Sequence, residues 1–318
     1  MSGYLEGILV ILLLNIIFAY AVYWPLAAGQ LNLGVAGFVG IGAYSAAYAA
    51  NEYGLPPYLA GAGAALVTFM VAVIIAVPVL RTKGIYLALA TFAFGQVLQS
   101  LFLNMEVVGG AAGYPVNAYI GIGGIAVCAA LVFAVTFYLD RTRFGLNLVA
   151  VRNDTAVSDL FGVHVRLYHT LAFAIGAGIA GLGGALYGFH YSYIEPQNYS
   201  ILFSIFVVLF VLLGGTQTVF GPLLGAVFFT LLPEVLRGSE EWRYAIFAVF
   251  IIATMILRPQ GLFTVHEIHL FRRLFDSGAR PSPSPSPQPS PPSQQPSPPS
   301  PSQLPPSPSQ PPPGRAHD

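Results

Sequence analysis

Apolar segments, most of them of bilayer length and nearly free of charge, recur along this chain, and that recurrence limits it to folds solvated by lipid. A helix needs about 20 apolar residues to cross the hydrocarbon, and fewer where protein covers it. On that template, segments fall near residues 5–22, 31–50, 58–80, 85–104, 121–139, 169–190, 201–213, 222–236 and 244–257. Charged residues make up 8% of the chain, against about 25% in an ordinary soluble domain. A globule in water would lack the polar surface to cover itself. The segments must be helical, because backbone polar groups cannot be left unpaired in lipid, and they lack the alternation of a barrel strand. The expected fold is an all-α integral membrane protein, a polytopic helix bundle of about 8–10 spans. Short broken or re-entrant helices are expected where glycine is dense, at 31–50 and 201–226.

Basic residues gather in three places: Arg81 with Lys83; Arg141, Arg143, Arg152 and Arg166; and Arg258, Arg272, Arg273 and Arg280. Putting all three groups in the cytoplasm satisfies the positive-inside rule, which also predicts a cytoplasmic C-terminal tail. Residues 1–265 then form the transmembrane domain, with a cytoplasmic loop at 140–168 inside it. Residues 266–280 read as a juxtamembrane segment. Residues 281–318, almost all Pro, Ser and Gln up to Pro313, read as a disordered tail with nothing to bury. The apolar run at 5–22 lacks a positive n-region and reads as a first span rather than a cleaved signal. A net charge of zero gives no basic face for nucleic acid. The single cysteine, Cys128, excludes an internal disulfide and reads as a small buried hydrophobe.

Patterns that suggest chemistry lack their context. Gly176, Gly178 and Gly181 match a dinucleotide fingerprint, but that motif must turn from a strand into a helix, and this one sits inside an apolar run. Gly176, Ala180, Gly184 and Gly188 instead recur every fourth residue, a small-residue stripe that lets a neighbouring helix approach closely in lipid. His266 and His269 have no third metal ligand nearby, so no metal site is expected, nor any cofactor. The only lysine, Lys83, stands in Arg81-Thr82-Lys83-Gly84, which does not fit a Walker A loop. The acids Glu6, Glu52, Glu106, Glu195 and Glu234 lie at or near segment ends, where ion-coupling carboxylates would not be sought. The chain is therefore expected not to be an enzyme, and energy for any active transport would come from a partner.

The most informative stretch is Asp140 to Arg166. From Ala150 to Phe161 it reads as a short helix stopped by Gly162, a good C-terminal cap. Contact with a soluble partner and simple bridging of two spans both account for such a helix. The pattern Arg141-Thr142-Arg143-Phe144-Gly145, then Ala150, Arg152 and Gly162-Val163, resembles the coupling loop of LivM-type branched-chain amino acid permeases, of the LivH/LivM family. Further matches follow in family order: Leu31-Asn32-Leu33-Gly34, Gly84-Ile85-Tyr86, Gly181-Leu182-Gly183-Gly184, Leu213-Gly214-Gly215-Thr216, Phe220-Gly221-Pro222, Leu232-Pro233-Glu234 and Arg258-Pro259-Gln260-Gly261-Leu262. Val157 and Ser158 stand where alanines are usual.

The resemblance implies a permease subunit of an ABC importer in a bacterial inner membrane, carrying branched-chain or related amino acids. The partners it implies are a second homologous permease, two ATP-binding subunits and a periplasmic or lipid-anchored substrate-binding protein. Arg143, Gly145, Arg152, Asp154, Asp159 and Gly162 would serve coupling to the ATPase. The glycine-interrupted segments point to Asn32, Gly34, Gly214, Gly215, Thr216, Gln217, Gly221 and Pro222 as translocation-path residues, or else their glycines only permit close packing. Urea or short amides are the alternative cargo. A passive channel and a membrane enzyme are the alternative classes.

Overall fold

The computed structural model describes residues 3–235. The ninth apolar segment, the juxtamembrane stretch with His266 and His269, the Pro/Ser tail and the Arg258–Leu262 motif lie outside the described residues. Within them the chain is a helical bundle: α1 (Gly3–Ala27), α2 (Val35–Tyr53), α3 (Pro57–Val79), α4 (Ile85–Asn104), α5 (Ile122–Asp140), α6 (Arg143–Asn153), α7 (Thr155–Leu160), α8 (Val165–Tyr191), α9 (Ile201–Gly214) and α10 (Phe220–Val235). Among the described residues α1, α3, α4, α5 and α8 are long and apolar enough to cross a membrane. A two-residue pairing of β1 (Tyr114–Pro115) with β2 (Tyr193–Ile194) ties the α4–α5 loop to the end of α8.

Helix α8 is the hub, packing on α1, α2 and α3. Small residues make that possible, since in lipid helices associate by close packing rather than by hydrophobic expulsion. Gly176 lies against α1, where an added Cβ would sit 2.8 Å from Pro25 Cδ. Gly184 lies against the Val39 carbonyl of α2, Ala180 is buried between them, and Gly188 faces Ile194. Gly178 and Gly181 sit within the same continuous helix. The fingerprint-like run therefore has no strand-to-helix turn.

The two glycine-rich regions are interrupted, each in its own way. Helix α1 ends in a Schellman turn: Gly29 takes φ +77°, its N–H donates to Leu26 and the Gln30 N–H donates to Pro25, both at 2.9 Å. Such a turn satisfies the last carbonyls of a helix and calls for glycine at the left-handed position. Residues 30–34 then run without regular secondary structure, largely buried, before α2 begins. Phe38 of α2 packs on Phe173, with ring centroids 5.5 Å apart, and Phe173 is eight residues into α8. Gly34, at the head of α2, lies against the Thr91 carbonyl, six residues into α4, so α2 starts roughly 9 Å inside that end of the bundle. Non-helical backbone at such depth is tolerated only when protein covers it. In the second region α9 spans 14 residues, about 21 Å, which is short of a full crossing. It turns back through residues 215–219 into α10. Gly214, Gly221 and Gly225 let the two backbones meet directly.

Basic side chains gather at one end of the bundle, together with Asp140, Asp154 and Asp159. Arg81, Lys83, Arg141, Arg143, Arg152 and Arg166 fall at the end where α1, α3, α5 and α9 finish and α4 and α8 begin. Glu6, Glu52, Glu106, Glu195 and Glu234 fall toward the opposite end.

Candidate functional site

The basic end carries the connector between α5 and α8. The sequence reading placed one helix from Ala150 to Phe161; the structure has two, broken at Asp154. Thr142 caps α6, its Oγ1 accepting from the Phe144 N–H at 3.2 Å. Phe144, Leu148 and Val151 turn inward at helical spacing. Phe144 stacks on Tyr168 with centroids 5.5 Å apart and lies 5.6 Å from Trp24, and Asn147 Nδ2 donates to Tyr168 Oη at 2.6 Å. Gly145 is buried against the last turn of α5, where an added Cβ would meet the Asp140 backbone.

Asp154 explains the break. Its backbone is extended, at φ −153°, and its Oδ1 accepts from the N–H groups of Ala156 at 2.8 Å and Val157 at 3.0 Å. A carboxylate there satisfies orphan donors and opposes the positive end of α7. Asp154→Ala should cost about 1 kcal/mol locally. Backbone amides of 155–160 should then exchange roughly fivefold faster, read by hydrogen–deuterium exchange. Helix α7 closes on Gly162, at φ +80°, with Gly162 N–H donating to Asp159 and Val163 N–H to Ser158, both at 3.0 Å. This is a second Schellman turn, with glycine at the left-handed position.

The outer face of the connector is apolar and bare. Leu160 is 86% exposed and Phe161 84%, with Leu146 and Val157 exposed alongside. Arg143, Asp154, Asp159 and Gly162 are also exposed. Arg152 is not on this face. It turns inward, its Nη1 donating to the Thr216 carbonyl at 3.2 Å, and Gly29 lies against its stem. The resemblance implies a coupling role for Arg152, and the groups it packs on, Thr216 and Gly29, lie too far away in sequence for a local pattern to announce. Leu160 stands out in the sequence only as larger than usual for this loop, and Phe161 not at all, because apolar residues in an apolar chain carry little signal until their exposure is known.

The proposed path residues do not share one cavity among the described residues. Asn32 Oδ1 accepts from the Gly34 N–H at 2.8 Å, the Leu33 N–H donates to Thr91 Oγ1 at 3.0 Å, and the Ala36 N–H donates to Ser204 Oγ at 2.9 Å. These bonds pin the start of α2 to α4 and α9. Gln30, 3% exposed, has neither amide atom bonded. Thr216 and Gln217 instead line a cavity of about 270 Å3 at the basic end, with Tyr23, Ala27, Asp140, Leu148, Val149, Arg152 and Asn153. Gly214, Gly215 and Gly221 pack the α9–α10 hairpin, and Pro222 sits in the first turn of α10, where its missing N–H costs nothing. A second cavity of about 220 Å3, lined by Asn15, Phe18, Tyr187, Asn198 and Tyr199 among others, opens in the acidic half.

A bundle whose long helices are apolar enough to cross a membrane, with interrupted helices and exposed apolar side chains on one connector, has the build of a multi-pass permease. The profile of a family described as "Branched-chain amino acid transport system / permease component" matches residues 4–258, and the chain belongs to that family. It is similar to the "High-affinity branched-chain amino acid transport system permease protein LivM" of Escherichia coli (strain K12), 28% identical over 271 residues, covering 74% of this chain and 64% of the relative. The match thus spans less than two thirds of that relative's length. It is also similar to the Pseudomonas aeruginosa permease protein BraD, 24% identical over 156 residues, covering 48% of this chain and 50% of that one. The "Autoinducer 2 import system permease protein LsrC" of Klebsiella pneumoniae is 30% identical over 149 residues, covering 44% and 43%. No solved structure matches the chain.

Proposed function

We propose that this chain is one permease subunit of an ATP-driven importer for branched-chain amino acids in a bacterial inner membrane, with the connector and the C-terminal tail in the cytoplasm. It pairs with a second homologous permease, is driven by two ATP-binding subunits and receives cargo from a periplasmic or lipid-anchored binding protein. It has no ATPase chemistry of its own.

One observation carries this reading: Leu160 and Phe161 stand bare on a short helix that is capped at both ends and pinned to the bundle through α6. Large apolar side chains exposed on a capped helix support a contact at this face. The positive-inside rule, applied to the basic end, supports placing that contact in the cytoplasm. The family and the LivM relative support the cargo. Asp154 and Gly162 shape the docking helix, Arg143 and Asp159 flank its face, and Gly145 seats its base.

The test is uptake of labelled L-leucine into vesicles holding the assembled system. ATP-dependent accumulation that requires the external binding protein is the expected result; leucine equilibration without ATP indicates a channel instead. Because an Autoinducer 2 permease is among the relatives, autoinducer 2 is the second cargo to supply in the same assay. Gly162→Val should break the second Schellman turn at a cost of about 1–2 kcal/mol. ATP hydrolysis should then continue while leucine uptake falls; unchanged coupling would count against the role given to α7.

A further inference from the structure

The cavity at the basic end has a composition that packing does not explain. Its wall carries one carboxylate, Asp140, and one guanidinium, Arg152, with the amides of Asn153 and Gln217 and the apolar side chains of Ala27, Leu148 and Val149. At about 270 Å3 it has room for a small molecule and not merely a water or two. The two charged groups do not neutralise each other. Asp140 accepts from Tyr23 Oη at 3.0 Å, while Arg152 reaches the Thr216 carbonyl at 3.2 Å. That bond uses one donor of a guanidinium that has five, leaving a fork suited to a carboxylate. Asp140, beside the Arg141 guanidinium, is the one carboxylate on the cavity wall that a ligand's cation can meet.

We propose that this cavity is a release site for a free zwitterionic α-amino acid with an aliphatic side chain, its carboxylate on Arg152 and its ammonium on Asp140. The aliphatic part lies on Leu148 and Val149. The proposal rests on the importer reading and adds to it a place where cargo pauses on the connector side. The walls come from α1, α5, α6 and the α9–α10 turn, so an occupant touches both the connector and the interrupted hairpin.

The experiment uses the full chain in lipid nanodiscs and labelled L-leucine, with 4-methylpentanoate, which lacks the ammonium, and 3-methylbutylamine, which lacks the carboxylate, as competitors. Leucine should bind the unaltered chain. Arg152→Gln and Asp140→Asn should each weaken it by at least about tenfold, since each removes a charge-assisted bond. Arg152→Gln should keep the amine and lose the acid, and Asp140→Asn the reverse. Val149→Trp fills the cavity with both charges intact, so it should block leucine too, even if a charge variant fails to fold. No leucine binding to the unaltered chain, or equal binding in all folded variants, overturns the site. The importer reading is judged apart, by ATP-driven uptake: uptake without binding in this cavity removes the site and leaves that reading in place.

Discussion

Gly184→Val should leave little folded chain in the membrane. At Gly184 α8 meets α2 backbone to backbone: an added Cβ would collide with the Val39 carbonyl oxygen and sit 2.9 Å from its carbon and 3.1 Å from the Ala43 nitrogen. No flexible side chain is there to yield. Overpacking a core ordinarily costs about 1–3 kcal/mol and sometimes more; here two helices must separate along a contact that lipid cannot replace. Size-exclusion chromatography after a heating series reads the result as loss of the monodisperse peak. Gly63→Val is the control, because nothing lies within 4 Å of an added Cβ at Gly63. If Gly184→Val is as heat-stable as Gly63→Val, the close α2–α8 contact is wrong.

The other large effect is expected at the connector. Leu160→Asp with Phe161→Asp should leave the thermal midpoint unchanged, because both side chains are exposed. It should nevertheless remove the ATP-binding partner from the purified complex and cut leucine uptake by roughly thirtyfold or more, as loss of two central apolar anchors does at a protein interface. A complex that copurifies and transports normally would show that this face docks nothing.

The long uncharged runs made the spans legible in the sequence. Lipid demands length and apolarity, both of which are local properties, so α1, α3, α4, α5 and α8 stand within a few residues of their expected places. Gly162 was legible for a similar reason, since a helix stop needs only a few residues of context. The interruption before α2 was half legible. Asn32 and Gly34 stood out, but Thr91 and Ser204 did not, because their bonds to the residues around Gly34 bridge helices far apart in sequence. Asp154 looked like a surface charge until its role as a cap split one expected helix into two. Arg152 pairs with a backbone carbonyl more than sixty residues away, which no local pattern announces.

The placement proposed for the α6–α7 connector is cytoplasmic, in contact with an ATP-binding partner. It is tested most directly by a cysteine at Leu160, in a chain with Cys128 replaced by serine, challenged with a membrane-impermeant maleimide in vesicles of both orientations. The account predicts labelling in inside-out vesicles only, and protection when the ATP-binding partner is present. Labelling of right-side-out vesicles, or labelling that the partner leaves unchanged, would contradict it.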